Sequence, residues 1–354
     1  MSLTTPQAAP PAVLPPLPAM AREAAQAADA AREQIFRCAG TFAELGARLR
    51  QSPPRFIITC ARGSSDHAAS YGKYLLETTL GRAVASVGPS VASIYNTPLD
   101  WKDSLFIAVS QSGRSPDLLR LTQAARDAGA LVVGFVNHED SPLMSLCHVG
   151  IPLCAGPEKS VAATKSYLLS GLAFLQLVAH WSQSPELMGA IARLPEALEA
   201  ARALDWSPAL LKLADARGMY VLGRGIGLGA ALEMALKFKE TCRLHAEAFS
   251  TAEVVHGPLA LVGPGFPVLA LGQEDGSAAS TRDVVRRMVE LGADVRSVLE
   301  VPGTDTLPSV PGIPAAIAPL CQVQSFYMAV HRLAVARRLD PDAPAHLRKV
   351  TETV

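Results

Sequence analysis

Short apolar runs alternate along the chain with longer segments of helical spacing. In the first half the apolar runs cover residues 56–60, 83–87, 105–109, 131–137 and 149–153. Unbroken runs of this length are typical of parallel strands whose two faces are both covered. Helical spacing occupies the segments between them, and it also predicts one or two helices over residues 20–50. A long apolar helix is predicted over residues 161–181. Strands that alternate with helices predict an α/β fold built on a doubly wound parallel sheet.

Loops rich in small polar residues follow two of these strands. Residues 110–115 (SQSGRS) follow the strand at 105–109, and Pro116 then suits the first position of a helix. Residues 61–67 (ARGSSDH) lie in the same way between a strand and a helix. The N-terminus of a helix favours phosphate because it presents free N–H groups and the positive end of a dipole. An ordinary loop with Ser115 as the helix cap also explains residues 110–115 when they are considered alone.

The second half of the chain repeats the pattern of the first. Three pairs of positions are separated by 162 or 163 residues, namely Arg62 and Arg224, 106–115 and 268–277, and Gly129 and Gly292. Agreement among three offsets indicates two copies of one α/β domain. The boundary between the copies is predicted near residues 195–208, where the amphipathic segment 194–204 links them.

The two copies differ in one of these loops. The second copy carries Glu274 and Asp275 where the first carries Ser112 and Gly113. Because carboxylates repel phosphate, only the first copy is predicted to bind it. Its two polar loops follow neighbouring strands at their carboxyl ends, which is where open α/β sheets bind ligands. The sequence therefore predicts a phosphate site in the first copy.

The composition fits two folded domains and argues against several classes of partner. The 354 residues are 49% hydrophobic and 18% charged, which is typical of large buried cores. A formal net charge of +0 gives no electrostatic case for binding nucleic acid or an anionic membrane. No apolar run is long enough to span a bilayer, and residues 1–18 lack the features of a signal peptide. Residues 1–17 are expected to form a poorly ordered arm.

Neither the cysteines nor a glycine-rich segment indicates a metal or a cofactor. Six cysteines without a CxxC pair predict reduced, mostly packed thiols in a cytoplasmic protein. Cys147, His148 and Cys154 do not have the spacing of a zinc site. Residues 225–230 (GIGLGA) match a dinucleotide-binding pattern, but the region about 20 residues further on is predicted to be helical and provides no acidic strand end. Close packing of a strand and a helix is the predicted role of these glycines.

Candidate catalytic groups lie on a later helix, in a loop and in the tail. A helix is predicted over residues 230–249, and Glu233, Lys237 and Glu240 share one of its faces. On an exposed helix this row is an ordinary salt-bridge ladder. His256 lies in a loop at 250–261, and residues 346–351 form a polar tail. The structural alternatives are a packed histidine and a frayed C-terminus.

These residues also carry a resemblance to the tandem sugar-isomerase (SIS) domain family, above all to the isomerase half of glucosamine-6-phosphate synthase. Six motifs match in order: SQSGRS at 110–115, VAATK at 161–165, ALKFKE at 235–240, HAEAF at 245–249, HGPLAL at 256–261 and LRKVT at 347–351. The resemblance covers about residues 45–354. We therefore expect two flavodoxin-like SIS domains and two flanking segments: an N-terminal helical arm at 1–44, domains at 45–195 and 205–340, and a tail at 341–354.

The resemblance implies a role for each candidate residue. The sugar phosphate would be held by Ser64, Ser65, Ser110, Gln111, Ser112 and Ser115, and the sugar by Gly63, Glu158, Val161 and Ala163. Glu240 would move a proton between C1 and C2, and Lys237 would support the charge balance. His256 would assist ring opening, contributed across the interface of a homodimer, and Lys349 would lie near the sugar carbonyl. A carboxylate partly shielded from water is expected to have a raised pKa, which suits this chemistry, and a lysine amine can form an imine with an open-chain sugar.

Departures from the synthases indicate the direction of the reaction. Ser2 stands where synthases carry the glutaminase cysteine, and the residues before the first strand are too few for that domain. The segments 61–68, 113–117 and 162–168 resemble SIS-type glucosamine-6-phosphate deaminases, so we expect release of ammonia from an amino-sugar phosphate without a cofactor.

The identity of the sugar is left open by the sequence. Ala163 replaces a serine that contacts sugar in synthases, and Ala345-His346 replaces their Arg-Asn. Two alternatives keep the deamination but change the substrate to galactosamine 6-phosphate or a fructosamine phosphate. Two others change the function to an isomerisation without ammonia chemistry or to a non-catalytic sugar-phosphate sensor. A sensor would need a DNA-binding domain or an obvious partner surface, and the Pro-rich N-terminus offers neither.

Overall fold

The computed structural model describes residues 17–349, and within them two parallel sheets of five strands each. The first sheet contains β1 (Ile57–Cys60), β2 (Val84–Ser86), β3 (Leu105–Ser110), β4 (Leu131–Val136) and β5 (Val149–Pro152). The second contains β6 (Gly218–Gly223), β7 (His245–Ser250), β8 (Pro267–Ala270), β9 (Asp294–Ser297) and β10 (Asp305–Thr306). The predicted arm at 1–17, apart from Leu17, and the tail beyond Lys349 lie outside the described residues.

Helices connect and cover the strands. They are α1 (Ala19–Ala24), α2 (Ala27–Gln51), α3 (Ser64–Leu80), α4 (Ser90–Ser93), α5 (Pro116–Asp127), α6 (Pro142–Leu146), α7 (Lys165–Ser182), α8 (Pro185–Arg202), α9 (Ser207–Leu211), α10 (Gly227–Cys242), α11 (Ala278–Glu290) and α12 (Ala318–Ala336). Two short 3-10 turns occupy Val254–His256 and Pro258–Leu261. Between residues 17 and 349 no helix is both long and apolar enough to cross a membrane.

The two sheets have the same topology, which confirms the predicted duplication. The first sheet has the order β2-β1-β3-β4-β5, and the second has the equivalent order β7-β6-β8-β9-β10, with every pair parallel. Gly129 and Gly292 adopt φ values of +84° and +83° at matching positions, a conformation that favours glycine. In each sheet the order reverses between the first and third strands, and ligands of doubly wound folds bind outside the carboxyl ends of strands at this point.

One apolar core is shared by both halves of the chain. It extends from Met20 on α1 to Ala334 on α12 and takes one face of each sheet, for example Ile107 of β3 and Leu269 of β8. The intervening residues of the strands point to two smaller outer clusters, one of which includes Phe106. Helices α2, α3, α7, α8, α10 and α12 pack against one another between the inner faces of the sheets. Helices of the second half can therefore contact the polar loops of the first.

Two helix boundaries differ from those predicted. Helix α7 begins at Lys165 and not at residue 161, because the buried Glu158 carboxylate accepts hydrogen bonds from the N–H groups of Thr164 (2.9 Å) and Ser166 (3.2 Å). Helix α10 ends at Cys242, where Arg243 adopts a left-handed conformation with φ +48°. Residues 245–250 therefore form strand β7, and the prediction that the helix continued to residue 249 was wrong.

The glycine-rich segment at the start of α10 serves close packing on two sides. The predicted packing of strand against helix is present, because a Cβ on Gly223 at the end of β6 would collide with the Gly227 carbonyl oxygen of α10. A second close approach, which was not predicted, joins two helices: a Cβ on Gly229 would lie 2.7 Å from both the His67 carbonyl oxygen and the Tyr71 amide nitrogen of α3. Gln273 closes the preceding loop, because its Nε2 donates to the Arg224 carbonyl oxygen at 3.1 Å.

A methyl group at position 229 is expected to force α10 and α3 apart. We predict that Gly229→Ala lowers the free energy of unfolding by about 1–3 kcal/mol, the usual cost of overpacking a close contact. Gly40→Ala on α2 is the matched control, because a Cβ there meets no atom within 4 Å and alanine is the better helix former. Urea unfolding of both variants tests the prediction, and equal stabilities would contradict it.

Candidate active site

A cleft of about 350 Å³ lies at the carboxyl ends of β1 and β3. It gathers residues from both polar loops, from the second half of the chain and from the tail. The candidate residues that line this cleft are Gly63, Ser64, Ser65, Ser110, Gln111, Ser112, Ser115, Val161, Ala163, Lys237, Glu240 and Lys349. Arg62 and Arg348 line it as well, although the sequence analysis did not name them as site residues. The fold thus brings segments that are far apart in sequence into one site.

The loop before α5 provides the neutral, hydroxyl-rich end of the cleft. Ser110 Oγ accepts a hydrogen bond from the Gly113 N–H at 2.9 Å, which folds the loop back on itself. Gly113 has φ +63°, and a Cβ there would collide with Ser141. Ser115 stands at the N-cap position, but its hydroxyl makes no capping hydrogen bond. The predicted alternative, in which Ser115 serves as an ordinary cap, does not describe its side chain, and its hydroxyl can donate to a ligand.

The loop before α3 provides a second helix N-terminus beside the first. Gly63 adopts φ +53° and precedes Ser64, the first residue of α3. Arg62 forms an ion pair of 2.8 Å with the buried Asp117 near the start of α5, so it joins the two loops. Two helices of 17 and 12 residues therefore begin at this end of the cleft, where their dipoles favour an anion.

Helix α10 brings a buried row of charges to the floor of the cleft. Glu233 and Lys237 are both 0% exposed and Glu240 is 19% exposed, so the interpretation as an exposed salt-bridge ladder was wrong. Lys237 Nζ lies 2.5 Å from Glu240 Oε2 and 3.4 Å from Glu233 Oε1. It also donates to Ser64 Oγ at 3.0 Å, which ties the row to the N-terminus of α3.

Two partners of Glu233 come from helices that the sequence analysis did not connect with it. Tyr327 of α12 donates its hydroxyl to Glu233 Oε1 at 2.7 Å, and His67 Nδ1 of α3 donates to Oε2 at 3.1 Å. The Ser64 hydroxyl donates to the same carboxylate at 3.2 Å. Nothing in the local sequence around His67 or Tyr327 indicates these contacts, because they arise only when the three helices pack together.

The electrostatics of this network favour the ionised forms of its central pair. Burial raises the pKa of Glu233, but Lys237 and the hydrogen bonds from His67 and Tyr327 outweigh it and leave that pKa below the ordinary value. Burial lowers the pKa of Lys237, but Glu233 and Glu240 outweigh it and leave that pKa above the ordinary value. Lys237 is therefore held as an ammonium ion between two carboxyl groups.

Glu158 lies beneath the cleft and orients the tail. Its side chain is buried, and Oε2 accepts a hydrogen bond from Ser166 Oγ at 2.7 Å and lies 3.4 Å from Lys349 Nζ. Burial raises the pKa of Glu158, but the Lys349 ammonium and the hydrogen bonds from Ser166 and Thr164 leave it lowered. Glu158 thus holds Lys349 at the cleft wall and does not itself line the cleft.

The N-terminal helix fixes the same region from outside. Glu23 Oε1 of α1 accepts hydrogen bonds from the N–H groups of Lys159 at 2.6 Å and Ser160 at 3.4 Å. The Asp342 carboxylate in turn accepts from the N–H groups of Ala19 at 2.6 Å and Met20 at 2.8 Å. The segment before Val161 is therefore held between the N-terminal helix and the C-terminal tail, which the sequence analysis did not foresee.

His256 lies on an exposed 3-10 turn and does not line the cleft of its own chain. Its contribution from a second subunit stays a prediction. Between residues 17 and 349 no group of three or more His, Cys, Asp or Glu side chains is arranged to hold a metal ion. All six cysteines are free, and four of them are buried.

In the second copy, the loop that corresponds to residues 110–115 is closed by hydrogen bonds among its own residues. Gln273, at the position equivalent to Gln111, donates from Nε2 to Asp275 Oδ2 at 2.9 Å. Asp275 Oδ1 accepts from the N–H of Ser277, the counterpart of Ser115, at 2.8 Å. The carboxylate of Asp275 thus takes the hydrogen bonds that an anion would take in the first copy.

Comparison with known proteins identifies the family. The SIS domain profile matches residues 52–180 and 212–304, which together make up more than half of the chain. The chain belongs to the SIS domain family. This SIS protein is 33% identical over 320 residues to the glutamine–fructose-6-phosphate aminotransferase (isomerizing) of Pyrococcus horikoshii, a match that covers 86% of the chain and 52% of that relative. It spans about half the length of the curated relatives that it matches.

Solved structures give the same relationship. A protein of Silicibacter pomeroyi, provisionally named a phosphosugar isomerase, matches with a TM-score of 0.88 and 41% identity, covering 92% of this chain and all of that one. The glucosamine-6-phosphate deaminase of Thermotoga maritima matches with a TM-score of 0.76 and 20% identity, covering 95% of this chain and 100% of that one. The second match shows the shared fold alone.

Loss of the Glu23 carboxylate is expected to loosen the segment that it holds. We predict that Glu23→Ala speeds amide hydrogen exchange at Lys159 and Ser160 about tenfold, because charge-assisted hydrogen bonds of this kind contribute about 1.5–3 kcal/mol each. Glu33→Ala on the exposed face of α2 is the control and should leave both amides unchanged. Unchanged exchange in Glu23→Ala would show that other contacts hold the segment.

The lowered pKa of Glu233 predicts a defined dependence of stability on pH. The ionised Glu233 carboxylate stabilises the folded state fully above pH 4.5, the ordinary pKa of a glutamate. This stabilisation is lost as the pH falls towards the lower pKa that Glu233 has in the folded state. The gap in unfolding free energy between wild type and Glu233→Gln should therefore narrow by up to about 1.4 kcal/mol per pH unit over that interval. Urea titrations from below pH 4 to pH 6 measure it, with the exposed Glu186→Gln as control. Parallel curves for wild type and Glu233→Gln would contradict the prediction.

Proposed function

We propose that this SIS protein converts an amino-sugar phosphate, glucosamine 6-phosphate, and water into fructose 6-phosphate and ammonia. The observation that carries the proposal is the meeting, in one cleft, of two helix N-termini with the Glu240–Lys237 pair. The first feature suits a phosphate, and the second suits proton transfer at carbon. The names of the aminotransferase and deaminase relatives concern the same amino-sugar chemistry, which supports this choice of substrate.

The phosphate is bound at the hydroxyl-rich end. The neutral donors there are the side chains of Ser65, Ser110, Gln111, Ser112 and Ser115. The free N–H groups of α3 and α5 add to them. Ser64 differs from them, since its hydroxyl is already engaged by Lys237 and Glu233. Its side chain therefore links the phosphate end to the charged row, while its backbone N–H remains at the start of α3.

Glu240 is the base of the proposed reaction. After ring opening, its carboxylate takes the proton from C2, the C1–C2 double bond forms and negative charge develops on the C1 oxygen. The same carboxyl group then returns a proton to C1, and the iminium ion that forms at C2 passes a proton to the C1 oxygen, which leaves a C1 hydroxyl group and an imine at C2. Water adds to C2, the C–N bond breaks, and ammonia leaves as the C2 ketone forms. Glu240 fits this role because it is the exposed end of the buried row.

Two lysines complement the charge that develops. Lys237 holds the Glu240 carboxylate in place at 2.5 Å and is itself fixed by Glu233. Lys349 lies at the cleft wall and is held by Glu158, so its ammonium supports the C1 oxygen from the tail. His256 assists ring opening from the second subunit of a homodimer, because it does not line the cleft of its own chain.

The sugar contacts leave one alternative substrate. Gly63, Val161 and Ala163 line the cleft without a side-chain hydrogen-bond donor. The methyl group of Ala163 can make no hydrogen bond to a sugar hydroxyl, so this wall discriminates little between epimers. Galactosamine 6-phosphate, an epimer of glucosamine 6-phosphate, is therefore the second candidate substrate.

Ammonia release is the direct test. The purified protein is supplied with glucosamine 6-phosphate or galactosamine 6-phosphate, and ammonia is measured through glutamate dehydrogenase. We expect Glu240→Gln to release ammonia about 10²–10⁴-fold more slowly, the usual contribution of a positioned general base. Glu186→Gln, an exposed substitution on α8, should keep the parent rate.

The outcomes separate the alternatives. Parent activity in Glu240→Gln would remove the role given to Glu240. Release from galactosamine 6-phosphate alone would change the substrate but keep the mechanism. No ammonia from either sugar, together with a melting temperature that rises when the sugar phosphate is added, would identify a sugar-phosphate sensor.

A further inference from the structure

Two of the six cysteines lie side by side between α2 and the strand β5. Cys38 is buried on α2, and Cys154 follows β5 with its side chain partly exposed. Both sulfur atoms contact the Pro152 carbonyl oxygen, at 3.6 Å for Cys38 and 3.7 Å for Cys154. Each cysteine also shifts the pKa of the other, as two side chains that lie close together do. These residues are far apart in sequence, and only the fold pairs them.

The surroundings of Cys154 favour its thiolate. The pKa of Cys154 lies below its ordinary value, chiefly because the Cys38 thiol can donate a hydrogen bond to the Cys154 thiolate, with further help from the Arg37 guanidinium. Partial burial and the carboxylates of Glu139 and Glu33 oppose this effect without cancelling it. A thiolate that solvent can reach is the form of cysteine that peroxides oxidise.

The backbone at Cys154 is held in a conformation that is uncommon for a residue with a Cβ. Cys154 has φ +56°, in the left-handed region. The next residues are fixed by Asn137, whose Oδ1 accepts from the Ala155 N–H and whose Nδ2 donates to the Gly156 carbonyl oxygen, both at 2.9 Å. These contacts hold the backbone beside which the Cys154 and Cys38 sulfur atoms meet the same carbonyl oxygen.

We propose that Cys154 and Cys38 are a peroxide-sensitive pair that closes to a disulfide. The Cys154 thiolate attacks one peroxide oxygen, the O–O bond breaks, and water leaves after protonation of the other oxygen. Cys38 then attacks the sulfur of the resulting sulfenic acid, the S–O bond breaks, a second water leaves and the S–S bond forms. In total, two thiols are oxidised and one hydrogen peroxide is reduced to two waters. A thiol reductant reverses the reaction.

The pair is placed where its oxidation can affect the cleft. Cys154 begins the segment that leads to Glu158, which holds Lys349, and to Val161 and Ala163 at the cleft wall. A disulfide would fasten the start of this segment to α2. This consequence rests on the proposed function, whereas the disulfide itself does not.

The test counts thiols and maps the bond by mass spectrometry. Protein treated with hydrogen peroxide is denatured, alkylated and digested, and we expect about two of its six free thiols to be lost, with a linked Cys38–Cys154 peptide that disappears after reduction. Cys38→Ser should stop at a sulfenic acid on Cys154 that a dione reagent traps. Cys147→Ser is the matched control, since Cys147 is also partly exposed but donates to the Leu143 carbonyl oxygen, and it should lose two thiols as wild type does.

Two results would overturn the proposal. One is retention of all six thiols in folded wild type at peroxide concentrations that trap no sulfenic acid on Cys154. The other is the same loss of thiols in Cys154→Ser. For the cleft, we expect oxidised wild type to show a several-fold higher KM for glucosamine 6-phosphate that reductant restores. An unchanged KM in fully oxidised protein would reject the effect on the cleft, and absence of activity in reduced protein would reject the proposed function alone.

Discussion

The buried ammonium of Lys237 is the interaction on which the rest of the site depends. A charge removed from water is strongly destabilising unless it is paired and hydrogen-bonded. Here Glu233, Glu240 and Ser64 surround it, while His67 and Tyr327 complete the hydrogen bonds of Glu233. Satisfying this one group requires α3, α10 and α12 to pack in a single arrangement. The arrangement also places Glu240 at the edge of the cleft, so the stability of the fold and the proposed chemistry rest on the same contacts.

The two copies of the domain contribute different parts of the cleft. Both keep the strand order and the left-handed glycine before the fourth strand. The polar loops of the first copy present hydroxyl groups to the cleft. In the second copy, Gln273 and Asp275 bond to each other, and Gln273 bonds to the Arg224 carbonyl oxygen. In exchange, the second copy contributes α10 to the cleft of the first. This contribution is possible because the two sheets share one core, and because Gly229 lets α10 approach the backbone of α3.

The ends of the described chain act together on the wall of the cleft. Glu23 on α1 and Asp342 in the tail form a chain of backbone contacts around residues 159–161, and Glu158 binds Lys349 from below. The Glu23 and Asp342 carboxylates therefore position this wall of the cleft by accepting backbone hydrogen bonds from outside it. The hydroxyl-rich end proposed to bind phosphate is different, because it presents neutral donors and helix N-termini. A site with these two parts can bind an anion and still keep a charged base beside it.

The sequence by itself determined the strands of the first sheet, the duplication, the polar loops and most residues of the cleft. These features depend on local patterns, such as the apolar runs of β1 and β3 and the serines that follow them. Only the tertiary structure decided that Glu233 and Lys237 are buried, that Glu158 starts α7, that residues 245–250 form a strand, and that Glu23 and Tyr327 serve the site. The physical reason is that burial and hydrogen-bond partners come from segments that meet only in the folded chain, whereas periodicity reports what one segment can form alone.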